Sequence, residues 1–201
     1  MPMNIGIFGG TFDPPHLGHL ILAAEAQEQL KLDHVLWVLT PYPPHKKNVK
    51  ISPIQDRMTM VMLAISDNPH FNLSRVDIDR PPPQYAVDTV ALLRQNSPKD
   101  DFFYLMGADS LGDLLSWHQP VQFVAACDGL GIMKRQGETI DTANLCSEIP
   151  GLEKKLHFLD TPAIEIAGSN IRERVKGGKQ FRYLVPEKIY HYILNHKLYQ
   201  T

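Results

Sequence analysis

The chain has 201 residues, 43% hydrophobic and 21% charged, with 20 Lys+Arg against 22 Asp+Glu for a formal charge of −2, as expected of one globular domain with a sizeable core. The even charge argues against a dedicated nucleic-acid binder, and no run approaches the roughly 20 apolar residues of a membrane span. The start, MPMNIGIFGG, shows no secretory signal, and Cys127 and Cys146 lack CxxC spacing, which points to reduced thiols in a cytoplasmic setting.

Short apolar runs alternate with helical patterns. Residues 4–8 predict a buried strand, followed by a glycine-rich turn and a helix in which Leu17, Leu20, Ile21 and Ala24 recur at three- and four-residue steps. Residues 35–39 form the next strand, with Trp37 as a core residue. Ser52-Pro53-Ile54-Gln55 has the form of a capping box, Ser52 as cap and Pro53 at the first helical position. It opens a helix with Ile54, Met58, Val61, Met62 and Ile65 on one face. Residues 71–78 alternate as an edge strand would. Arg80-Pro81-Pro82-Pro83 reads as a stiff loop before Tyr85 in preference to a polyproline ligand, and Val87, Val90, Ala91 and Leu93 mark a third helix. Residues 102–106, 129–134 and 156–159 supply further strands, and Pro186 starts a last helix carrying Ile189, Tyr192 and Ile193.

This alternation predicts an α/β fold, a Rossmann-like doubly wound sheet, mainly parallel, with helices on both faces. It would form one domain over residues 1–201, with about 167–201 as a small C-terminal helical lobe. Ligands bind such sheets beyond the carboxyl ends of the strands, so the segments just after the apolar runs hold the candidate site.

The first of these is Gly9-Gly10-Thr11-Phe12-Asp13-Pro14-Pro15-His16-Leu17-Gly18-His19. Glycines at 9 and 10 would let main-chain N–H groups approach an anion without a Cβ in the way. His16 and His19, three apart, share a face of the helical turn, and Gly18 keeps that face open. Two imidazole donors beside helix-terminal amides suit a phosphate better than carboxylate-driven acid–base chemistry. Neither G-x-G-x-x-G nor the Walker A Lys-Ser/Thr pattern is present. A zinc pair would need a third ligand, and none is apparent nearby. Taken singly, the histidines would read as surface residues.

The run resembles the nucleotidylyltransferase superfamily, whose hallmark is G-[TS]-F-D-P-x-H-x-G-H. That resemblance implies transfer of a nucleoside monophosphate from a triphosphate, with His16 and His19 holding the phosphates. Pro43-Pro44-His45-Lys46, Gly107-Ala108-Asp109-Ser110-Leu111, Trp117-His118, residues 168–174 and Tyr183-Leu184-Val185-Pro186 extend it over essentially the whole chain. This set is similar to the nicotinate/nicotinamide mononucleotide adenylyltransferases.

Some of these residues have chemistry of their own. Asp109 suits ribose hydroxyls or, equally, a helix cap. Trp117 suits the core or a stacked pyridine ring. Ser169 suits a cap that also meets a phosphate, with Arg172 over the same helix end. Lys46 is a mobile charge suited to a phosphate that moves during reaction. The resemblance assigns catalysis to His16, His19, Arg172 and Lys46. It assigns ATP to Gly9, Gly10, Thr11, Phe12, Gly107, Asp109, Ser169, Asn170 and Ile171, and the mononucleotide to Thr40, His45, Tyr85, Ala86, Trp117 and His118.

The reaction so implied is adenylyl transfer from ATP to nicotinate mononucleotide in NAD biosynthesis. Mg²⁺ would be carried on ATP, without a protein metal site, and neither nucleic acid nor membrane is a partner; a homo-oligomer stays open. Nicotinamide mononucleotide and phosphopantetheine are the alternative acceptors, and a catalytically silent nucleotide-binding regulator is the alternative class. The chain departs from the family pattern in three places. Ile166-Ala167-Gly168-Ser169-Asn170-Ile171-Arg172 stands for I-S-S-T-x-I-R, Thr40 for a common Asn, and Ala86 for a common Thr.

Overall fold

A computed structural model describes residues 2–42, 51–133, 141–162 and 164–200. The strands are β1 (Asn4–Gly10), β2 (His34–Leu39), β3 (Phe71–Ser74), β4 (Asp101–Gly107), β5 (Gly129–Met133) and β6 (Leu156–Leu159). They form one sheet in the order β3-β2-β1-β4-β5-β6, with every neighbouring pair parallel. Parallel pairing forces a crossover between consecutive strands, and the helices supply it.

Alternation along each strand divides the apolar side chains between two faces. Phe8, Val35, Trp37 and Leu39 pack with helices α1 (Leu17–Gln29) and α2 (Ile54–Ile65). Ile171 of α7 (Gly168–Lys176) and Ile189 and Ile193 of α8 (Glu187–Asn195) join this same core. On the other face Ile5, Ile7 and Val38 pack with α3 (Ala86–Asn96), α4 (Ala108–Gly112), α5 (Pro120–Ala126) and α6 (Thr142–Glu148). The fold is therefore the doubly wound parallel sheet that the alternation predicts. Between β1 and β4 the order reverses, which opens a crevice at their carboxyl ends. Among the described residues, no helix is long and apolar enough to cross a membrane.

Three local expectations are corrected. β3 lies at the sheet edge but ends at Ser74, short of residue 78. There the buried Asp77 carboxylate draws Arg80 Nη2 (2.9 Å) and Thr89 Oγ1 (2.7 Å), so the chain turns inward. At α2, Pro53 occupies the cap position and no side chain caps the helix. The Ser52 main chain is held elsewhere, its N–H donating to Asp13 Oδ2 and its carbonyl accepting from Arg57 Nε, both at 3.0 Å; these charge-assisted bonds fix the residue outside the cap position. At α7 the cap is Ala167, so Ser169 stands inside the first turn. The sixth residue of the run 129–134 lies outside the described residues.

Candidate active site

Two cavities open at the carboxyl ends of the central strands and share Thr11. The larger, about 680 Å³, is lined by Gly9, Gly10, Thr40, Tyr85, Ala86, Gly107, Trp117 and His118, with Asp77, Gln84, Thr89 and Tyr104 among the others. The smaller, about 400 Å³, is lined by Thr11, Phe12, Asp13, Pro14, His16, His19, Ile51, Ala167, Gly168, Ser169 and Arg172. The structure thus separates an aromatic chamber from one built of imidazoles, a guanidinium and the first turn of α7. His45 and Lys46 lie outside the described residues.

His16 is buried and its ring stacks on that of His19 at 3.6 Å between centroids. Burial pushes the His16 imidazole down to about 4, so it is neutral near pH 7. The His16 main-chain N–H donates to His19 Nδ1 at 3.1 Å. That nitrogen is therefore unprotonated, and Nε2 of His19 carries the ring proton as a donor. Gly18 leaves this face open, since a Cβ there would stand 3.1 Å from His16 Nδ1.

The first two glycines also stand where a Cβ would not fit. A Cβ on Gly9 would lie 2.8 Å from the Tyr104 hydroxyl, and one on Gly10 would lie 2.8 Å from the Phe12 ring. Both glycines make room for side chains. Phe12 takes a left-handed φ of 47°, a conformation costly for a bulky residue. Its ring is buried against Phe8, His19 and Trp37, which offsets that cost.

Arg172 Nη1 donates to the Asp13 carbonyl at 2.7 Å. A Cβ on Gly168 would meet that same carbonyl at 3.1 Å, so glycine in place of the family's serine lets α7 pack closely on the motif. Asp13 is itself buried, with Oδ1 accepting from Tyr199 (2.7 Å) and Oδ2 from Ser52 N–H (3.0 Å).

In the larger cavity the Tyr85 and His118 rings stack on each other at 4.0 Å. Trp117 packs edgewise on Tyr104 and beside Phe123 while lining the chamber, so it is both wall and partial core. Arg80 holds the loop that presents Tyr85, donating to the carbonyls of Pro83 (3.1 Å) and Tyr85 (3.0 Å) as well as to Asp77. The Arg-Pro-Pro-Pro segment is a braced loop.

Three candidates line neither cavity. Asp109 folds back on its own turn, Oδ1 accepting from Ser110 N–H at 2.9 Å. Asn170 is exposed. The Ile171 side chain is core, which leaves only its main chain for any ligand.

Arg57 is the residue that the helical pattern overlooks. It is 2% exposed and donates at about 3 Å to four carbonyls, those of Thr11, Thr40, Pro41 and Ser52. One guanidinium therefore ties the motif, the end of β2 and the start of α2 together. Burial holds its pKa below the ordinary arginine value, opposed in part by the Asp13 charge. The available signal was a charged residue inside the apolar stripe of Ile54, Met58, Val61 and Ile65. Tyr104 was missed because its run reads simply as a buried strand; burial and the Asp77 charge raise its phenol pKa, so it stays a hydroxyl.

Residues 7–174 match the cytidylyltransferase-like family model. A probable nicotinate-nucleotide adenylyltransferase of Thermomicrobium roseum is 43% identical over 198 residues, covering 98% of this chain and 92% of that protein. One of Bacillus pumilus is 39% identical over 98% of this chain and 99% of its own length. The chain belongs to the nicotinate-nucleotide adenylyltransferase family. A solved member from Plasmodium falciparum, nicotinic acid mononucleotide adenylyltransferase complexed with NaAD, superposes with a TM-score of 0.82 at 19% identity, covering 98% of this chain and 97% of that one. The family fold therefore extends across the chain, well beyond the histidine motif.

Proposed function

We propose that this chain transfers the adenylyl group of ATP to nicotinate mononucleotide, giving nicotinate adenine dinucleotide and pyrophosphate. The observation that carries this reading is the meeting of the two cavities at Thr11. Donors and a guanidinium on one side suit a polyphosphate, while stacked aromatics on the other suit a planar ring. The acid is chosen as acceptor because full-length relatives are named for nicotinate nucleotide.

In this reading the mononucleotide phosphate attacks the α-phosphorus in line from the aromatic chamber. A phosphate oxygen bonds to that phosphorus as its bond to the bridging oxygen breaks, and pyrophosphate takes the electron pair. The attacking group is already an anion, so no protein base is needed; alignment and charge neutralisation carry the rate. His16, His19 and Arg172 serve the α- and β-phosphates, and Lys46 is the further cation assigned there. Mg²⁺ keeps most of its waters and takes few protein ligands, so it enters on ATP. Asp13, the carboxylate among the described residues lining the phosphate cavity, already has both oxygens engaged.

The test is a side-by-side assay of acid and amide mononucleotides with ATP, following dinucleotide and pyrophosphate. Equimolar products are expected, with kcat/KM at least tenfold higher for the acid, about 1.4 kcal/mol. Absence of dinucleotide from both would reject the function, and preference for the amide would reject the assigned acceptor.

A further inference from the structure

The far end of the chain reaches Asp13, a residue that lines the phosphate cavity. Beyond α8, Lys197 and Tyr199 adopt left-handed φ values of 52° and 64°, which fold the terminal segment back onto the core. The Tyr199 hydroxyl thereby reaches Asp13 Oδ1 at 2.7 Å, across 186 residues of sequence. Neither the histidine motif nor any pattern in residues 187–200 predicts this contact.

Asp13 carries two kinds of acceptor beside the first turn of α7, its main-chain carbonyl and its carboxylate. The guanidinium takes the neutral one, the main-chain carbonyl, at 2.7 Å. A carboxylate would be the stronger partner, because a guanidinium can grip it with two parallel charge-assisted bonds. Such a grip would occupy the donors that a polyphosphate needs. In the structure each carboxylate oxygen instead accepts from another direction, Oδ2 from Ser52 N–H and Oδ1 from the Tyr199 hydroxyl.

We infer that Tyr199 is a positioning residue of the phosphate site, holding the Asp13 carboxylate away from Arg172 so that the guanidinium remains available to the triphosphate. Burial and the Asp13 charge raise the phenol pKa well above its ordinary value, so the hydroxyl stays a donor across the neutral and alkaline range. Of the two clamps on the carboxylate, Ser52 donates through its backbone, so Tyr199 is the one a side-chain substitution can remove. The inference rests on the proposed binding of ATP phosphates at Arg172.

The experiment measures Kd for ATP and for nicotinate mononucleotide by calorimetry, in the full chain and in Tyr199→Phe, which keeps the ring and deletes the hydroxyl. The ATP Kd should rise about tenfold while the mononucleotide Kd changes less than twofold. The same substitution is then made in an Asp13→Asn background, where residue 13 has no charge with which to capture Arg172; there it should shift the ATP Kd by less than twofold. An unchanged ATP Kd in Tyr199→Phe overturns the inference. Equal weakening of both ligands overturns it too, as does an effect that persists in the Asp13→Asn background, which a merely structural role would give. Adenylyl transfer by the unmodified chain is assayed in parallel: its absence counts against the proposed function, whereas a flat response to Tyr199→Phe in an active enzyme counts against the clamp alone.

Discussion

Replacing His19 by Ala should lower kcat by about 10²–10³-fold, the usual effect of removing one well-placed donor to a developing charge. His19 Nδ1 accepts from the His16 main-chain N–H, which fixes the tautomer and puts the ring proton on Nε2. His19 sits in the first turn of α1, where Ala is a good helix former, so the chain should still fold. Asn at this position is the sharper variant. Its short amide can accept from the His16 N–H but cannot reach as far as Nε2, so it should lose turnover like Ala. Pyrophosphate release at saturating substrates measures the effect. Turnover within threefold of the unmodified enzyme would remove the role assigned to this ring.

A second large effect should appear in stability as the pH falls. Burial places the His16 pKa at about 4 in the folded protein, against 6.5 for an ordinary histidine. Between those values the unfolded chain binds a proton that the folded chain refuses. The unfolded state therefore gains as pH drops through 6.5, and the loss levels off only below about 4. Linkage puts the loss at about 2 kcal/mol between pH 7 and pH 5. Denaturant unfolding at the two pH values should show it, and His16→Asn should remove most of that difference. Equal pH sensitivity in both proteins would mean that other groups cause the acid limb.

The sheet was legible because its strands are short, nearly continuous apolar runs between amphipathic segments, a pattern that few folds other than a parallel α/β sheet accommodate. Trp37 follows directly, since it sits within such a run. The motif was legible for a different reason: glycines, a proline pair and two histidines share one strand-to-helix turn. What could not be read depends on partners far along the chain. Ser52 has the look of a helix cap, but Asp13, 39 residues earlier, takes its N–H. Residues 71–78 alternate like a strand, but a buried Asp77 with Arg80 and Thr89 ends β3 early. The crowding at Gly9 was hidden because the hydroxyl that a Cβ there would meet at 2.8 Å belongs to Tyr104, on the neighbouring strand. Arg57 and Tyr199 act on the site through single side chains that leave no periodic trace, although a charge in an apolar helical stripe was at least a visible anomaly.

The most direct measurement is a crystal structure of the protein with a non-hydrolysable ATP analogue. The expected result is a triphosphate in the smaller cavity, with oxygens within hydrogen-bond distance of His16, His19 Nε2 and the Arg172 guanidinium, and its α-phosphorus facing the aromatic chamber across Thr11. A triphosphate bound elsewhere, touching neither imidazole, would contradict the assignment of this cavity to the reacting phosphates.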